Sequence, residues 1–140
     1  MTSFTTATTE TFEGTTSKLA EPGSRLVRFW LQAEGAAAFV AGVALFLQGG
    51  GEPWLLIPLL LVPDLGMLGY LAGPRLGAMT YNLVHNWVIG LALLGAGAWL
   101  ELDALWLGGA VLVAHVGIDR ALGYGLKLAT GFKRTHLQVF

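Results

Sequence analysis

The chain has 140 residues, of which 54% are apolar and 12% charged, with a formal net charge of −1 and no cysteine. A soluble domain carries about a quarter charged residues, so a surface of this composition suits lipid better than water. A near-neutral balance with no basic stripe argues against nucleic acid as a partner. The missing thiols exclude disulfides, thiolate metal sites and cysteine nucleophiles.

Residues 1–24 hold eight threonines and three glutamates and little to bury. They read as a disordered cytoplasmic tail, without the basic start and short apolar core of a signal peptide. Four apolar segments follow. The first runs from Leu26 to Leu47 and closes at Gln48 and Gly49-Gly50-Gly51. The second runs from Trp54 to Leu71 and ends in Gly73-Pro74-Arg75; the third covers Ala78–Leu100 and the fourth Leu105–Leu126. Each comes close to the roughly 20 residues that a bilayer crossing needs, and closed helices satisfy their own backbone groups there. The expected fold is therefore all-α, a four-helix transmembrane bundle over residues 25–128, with residues 129–140 as a short cytoplasmic segment. Short connections predict antiparallel packing of consecutive helices.

Orientation follows from lysine and arginine. Lys18, Arg25 and Arg28 precede or open the first span, Arg75 lies between the second and third, and Arg120, Lys127, Lys133 and Arg134 lie near or beyond the end of the fourth. The opposite side carries Glu52, Glu101 and Asp103, with Trp54, Trp99 and Trp106 as an aromatic belt. Both termini are expected in the cytoplasm, in a multi-pass protein of the inner membrane. Small residues (Gly35 to Ala38, Ala41 and Gly42; then Gly69, Gly73 and Gly77) suit close helix contact. Packing within the chain explains them first, and a homo-oligomer interface is the alternative.

Polar groups inside the spans carry the most information: Glu34 in the first, Asp64 in the second, Asn82, His85 and Asn86 in the third, His115 and Asp119 in the fourth. An ionisable residue at bilayer depth costs at least about 2.5 kcal/mol, so it faces protein or water and has a partner. Counted at about 1.5 Å per residue, the five ionisable groups fall roughly 9–15 Å from the inner ends of their spans. They form one layer in the inner half. His115 and Asp119 share a helical face at i,i+4. Asn82, His85 and Asn86 form a stripe with Tyr81 beside it. Pro63, just before Asp64, removes a backbone donor and frees a carbonyl near Leu59 or Leu60; such a kink commonly sits beside a cavity or is satisfied by a neighbouring side chain. Arg75 and the face of Arg120, Tyr124 and Lys127 would bring positive charge to the mouth of the layer.

Two imidazoles and the carboxylates, in the set His85, His115, Asp119 and Asp64, can ligate a divalent metal such as zinc, manganese or iron. The same groups can relay protons or act as a general acid–base pair on a lipid-borne substrate. No H-E-x-x-H, G-x-S-x-G, G-x-G-x-x-G or Walker motif selects among these. A structural hydrogen-bond network is the plain alternative. At the level of function this leaves three classes. One is a polar intramembrane site for a proton, metal or small ligand, with or without catalysis. The others are an accessory or assembly subunit of a larger membrane complex, and a small oligomeric transporter.

Pro63-Asp64-Leu65-Gly66-Met67-Leu68-Gly69-Tyr70 with Gly73-Pro74-Arg75, Tyr81-Asn82 with His85, His115-Val116-Gly117-Ile118-Asp119-Arg120 with Gly123-Tyr124-Gly125-Leu126-Lys127, Thr130-Gly131-Phe132 and Thr135-His136-Leu137 form a distinctive set. They resemble the bacterial integral membrane family designated domain of unknown function 4260, over roughly Phe29 to Leu137. The resemblance implies a four-span membrane protein and supplies no reaction, substrate or cofactor. Its segments include Asp64, His85, His115 and Asp119; Glu34 lies outside them.

Overall fold

The computed structural model describes residues 22–129. Their regular elements are all helices, without a strand among the described residues. In order they are α1 (Pro22–Gln48), α2 (Pro53–Leu60), a 3₁₀ helix (Pro63–Ala72), α3 (Pro74–Val84), α4 (Trp87–Leu100) and α5 (Asp103–Ala121). The 3₁₀ helix continues α2, and α4 continues α3, so the six pieces make four spans long and apolar enough to cross a membrane: Arg25–Gln48, Pro53–Ala72, Pro74–Leu100 and Asp103–Ala121. Much of the outward surface is apolar. Leu71 is 88% and Trp99 85% exposed, as lipid-facing side chains would be. Most of the expected tail over 1–24 and of the expected segment over 129–140 lies outside the described residues. Pro22–Ser24, however, already belong to α1, so the helix begins before the expected boundary.

Local chemistry explains the ends. At the end of α1, Gly50 takes φ +80, with Gly50 N–H bonded to Leu47 O and Gly51 N–H to Phe46 O. This is the paired closure of a Schellman turn, which favours glycine at its left-handed position. α5 ends the same way: Gly123 takes φ +86, Gly123 N–H reaches Arg120 O and Tyr124 N–H reaches Asp119 O. The fourth helix therefore stops at Ala121 and not at Leu126, although the apolar run continues. The third span begins at Pro74 and not at Ala78, because proline suits a first helical turn. Arg75 is thus in a helix and not in a connection.

Two breaks interrupt the spans. After α2, Leu61 and Val62 donate to Pro58 O and Leu59 O, tightening the chain into 3₁₀ geometry around Pro63. Between α3 and α4, Asn86 leaves the helical conformation at φ −121, ψ 157, and its side-chain oxygen accepts from Val88 and Ile89 N–H. Asn86 is a helix cap inside a span.

α5 is the central helix. Gly35 and Gly42 of α1 lie against Gly117–Ala121 and Ala110–Ala114, leaving no room for a side chain, and Gly117 meets Phe39 in return. On its other side Gly109 meets Gly90 and Leu94 of α4, while Gly97 meets Trp106. The expectation that consecutive helices pair is corrected for α1, whose main neighbour is α5, because the matching small-residue surfaces lie there. Trp106, expected in the aromatic belt, is half-buried, and its indole N–H donates to Leu45 O of α1 at 3.0 Å.

Candidate metal centre

The two breaks and α5 converge on one point. Asp64 is the second residue of the 3₁₀ helix, His85 sits in the gap after α3, and His115 and Asp119 lie one turn apart on α5. His85 Nε2 and His115 Nε2 are 2.9 Å apart. Asp64 Oδ1 is 3.4 Å from the first and 3.6 Å from the second, and Asp119 Oδ2 is 3.8 and 3.9 Å away. His85 and His115 are buried, at 1% and 4% exposure, whereas the Asp64 side chain keeps 43%.

The imidazoles are held by the backbone. His85 Nδ1 lies 2.9 Å from Tyr81 O, and His115 Nδ1 lies 2.6 Å from Leu60 O. A carbonyl oxygen can only accept, so Nδ1 carries the proton in both rings. In the neutral imidazole Nε2 is then an unprotonated lone pair. Both lone pairs point at each other and at two carboxylate oxygens. That arrangement needs a cation between the groups, either a metal ion or a proton.

The spacing fits a metal ion. Tetrahedral zinc with bonds of about 2.0–2.1 Å sets its donors roughly 3.3–3.4 Å apart, and the separations here scatter around that value. Asp64, His85 and His115 each offer one ligand atom, all within 4.8 Å of one another. The surroundings fit as well. Metal-bound histidine usually donates its other N–H to a carbonyl or carboxylate, and ligating carboxylates are themselves hydrogen-bonded. Here Tyr81 OH donates to Asp119 Oδ2 at 2.9 Å. Its ring stacks on His85 with centroids 3.6 Å apart and planes at 15°. Among the described residues Asp64 has no such partner, and it lines a pocket of about 330 Å³ with Met67, Tyr81, Asp119, Tyr124 and Lys127.

The remaining polar residues take other places. Asn82 clamps the chain after α5, donating to Lys127 O at 2.9 Å and accepting from Lys127 N–H at 2.7 Å. Asn86 is spent on its cap and on Asn82 O and Leu83 O, so the expected stripe of the third span divides into three separate tasks. Glu34 is exposed on α1, and Arg75 is exposed in the first turn of α3; neither bonds to the cluster. Arg120, Tyr124 and Lys127 do gather near the centre, by a different route from a helical face. Arg120 is buried, and its guanidinium donates to Tyr124 O at 2.7 Å and to His85 O at 3.2 Å, pinning both the post-helical turn and the break that carries His85. Sequence reasoning had Tyr81 only as a neighbour of the stripe and had no place for Met67. The i,i+4 relation of Tyr81 to His85 was the available signal for the first.

The chain belongs to the family described as domain of unknown function 4260, whose pattern matches residues 28–140. No curated protein and no solved structure matches it.

Proposed function

We propose that this protein binds one divalent metal ion of the zinc class inside its membrane-spanning bundle, through Asp64, His85, His115 and Asp119. The observation that carries the reading is the anchoring of both histidines by Nδ1, which turns two unprotonated Nε2 atoms and two carboxylates onto one point. Asp64, His85 and His115 offer three donors within 4.8 Å of one another, as one ion requires, with Asp119 3.8 and 3.9 Å from the two imidazoles as the candidate fourth, and outer partners on three of the four match the usual support of such ligands. Asp64 faces the pocket, so the ion has a side from which a further ligand can approach. A centre of this kind belongs to a protein that acts on, or carries, something reaching it from that pocket. By the distribution of lysine and arginine, the pocket opens toward the cytoplasm and both termini lie there.

Elemental analysis of detergent-purified protein tests this. One equivalent of metal per chain is expected, lost in His115→Ala and in Asp64→Ala while helical circular dichroism is kept. Protein that is metal-free and takes up none on dialysis against zinc sinks the proposal. In that event the 2.9 Å Nε2–Nε2 distance, the length of a hydrogen bond, favours a shared proton between the two imidazoles. Topology has its own test. The chain has no cysteine, so single cysteines can be introduced cleanly. One at Gly50 should react with an impermeant maleimide added outside the cell, and one at Arg75 should not; the reverse pattern would invert the orientation.

A further inference from the structure

The second span stands partly away from the rest of the bundle. No residue of α2 is buried, and beyond it the 3₁₀ helix packs on α3, with Gly66 and Gly69 against Thr80. Leu55, Leu59 and Val62, a stripe at i, i+4 and i+7, line one wall of a cavity of about 710 Å³. Ala104, Leu107, Gly108 and Val111 of α5 line the other. Gly109 and Gly117 of the same helix meet neighbouring backbone, whereas a Cβ at Gly108 would meet nothing within 4 Å. Gly108 keeps room that no helix of the chain uses.

We infer that this cavity holds a hydrocarbon chain of a bilayer lipid, at a site that stands independently of the metal reading. Three observations select the occupant. The first is polarity. Packed interiors hold few voids larger than a water molecule, and a buried water needs several polar partners. Among the lining residues only Glu52 has a polar side chain, and it stands at one end. The second is length. The cavity runs from the turn at Gly50–Glu52 to Pro63 and Gly66. From Glu52 to Pro63 a helix rises roughly 16 Å, close to the roughly 15 Å that is half of the hydrocarbon core. The third is width. Spread over that length, about 710 Å³ gives a mean cross-section of roughly 45 Å². An α-helix with its side chains, at roughly 10 Å in diameter, needs about 80 Å². A further helix is too wide for the space, and a flexible lipid chain is not. Leu65, on the cavity wall, is 61% exposed, which leaves a lateral way in from the bilayer.

The deep end of the cavity adjoins the polar cluster. Pro63 precedes Asp64, Val84 precedes His85, and Val111 lies one turn before His115. A chain seated there packs against the backbone that carries three of the four converging side chains. A membrane lipid is thus the class of molecule that the fold brings against the centre from this side.

The test uses full-length protein in phosphatidylcholine nanodiscs doped with the same lipid carrying a diazirine midway along one chain. After irradiation, peptide mass spectrometry should find Leu59, Leu107 and Val111 labelled several-fold more than the exposed Val40, Ile57 and Leu91. Gly108→Phe, which occupies the void, should abolish that excess. Gly95→Phe should keep it, since a Cβ there also meets open space but lies outside the cavity. Ala104→Phe, at an exposed position on the wall, should give the loss again without touching the interior. Labelling no greater in the cavity than outside it overturns the inference, as does an excess that survives both Gly108→Phe and Ala104→Phe. If adamantyl diazirine, which has no chain, labels the cavity in excess and the lipid probe does not, the site takes small apolar solutes. If the excess disappears when each disc holds two copies, a second copy covers the site. Either of these results overturns the lipid assignment.

Discussion

Tyr81→Phe isolates a single bond in the proposed centre. The phenol donates to Asp119 Oδ2 at 2.9 Å, and the ring is buried against His85. Phenylalanine keeps the stacked ring and removes only the hydroxyl. A hydrogen bond to a charged acceptor is worth about 1.5–3 kcal/mol, and each 1.4 kcal/mol is about a factor of ten in affinity. That sets the ceiling near a hundredfold. The carboxylate loses its donor in the metal-free protein too, so the loss in metal affinity comes from poorer orientation of Asp119 and should be nearer the low end of the roughly 10–100-fold range for outer partners. Competition against a zinc chelator of known affinity measures it, with Asn82→Ala as the comparison, since Asn82 touches the chain at Lys127 and no ligand. Zinc affinity within twofold of the native chain in Tyr81→Phe, alongside a large loss in Asp119→Asn, would refute the role given to the phenol. If Asp119→Asn also binds normally, Asp119 is no ligand.

Pro63→Ala should weaken metal binding without touching a ligand: it permits the α-helix to continue, and the N–H of Asp64 then competes with His115 for the Leu60 carbonyl; unchanged chelator competition would count against it. Gly117→Val should destabilise the bundle by about 1–3 kcal/mol or prevent folding, as expected for overpacking, because its new Cβ meets the backbone of Phe39 and Gly35. Gly108→Ala is the matched control, with open space at its Cβ, and thermal unfolding in detergent should separate the two. Asn86→Ala removes the cap of α4 and should cost about 1 kcal/mol of stability, read by the same melt; an unchanged melting temperature would mean that water replaces the cap.

The four spans were legible because composition leaves long apolar runs no other use. The four residues at the centre were legible for a related reason: Asp64, His85, His115 and Asp119 are expensive in a bilayer unless they meet. Their depth alone did not identify the cluster. Glu34 passes the same test and stands exposed on α1, since depth fixes a level in the membrane and says nothing about which way a helix face turns. The pairing of α1 with α5 was also hidden. It depends on two glycine–alanine surfaces far apart in sequence, Gly35 and Gly42 against Ala110, Ala114 and Gly117, and short loops suggested nearer partners. Asn86 was misread because an asparagine among polar neighbours suits a helical stripe and a helix cap equally well. Gly123 did mark the end of α5, but the apolar residues beyond it masked that signal.

Broken backbone at membrane depth is tolerated where protein or a cavity covers it, and both breaks in this chain adjoin the cluster. The break at Pro63 exposes the Leu60 carbonyl that orients His115, and the break at Asn86 releases His85 from the helix while Arg120 takes up its carbonyl. A straight second span would have satisfied the Leu60 carbonyl internally and left His115 without its anchor, whereas His85 keeps its anchor at Tyr81 O within α3. At Pro63 the irregular backbone and the orientation of His115 are therefore one feature. A bundle selected for stability alone has no need of either break, which is the strongest physical reason to look for function at this centre.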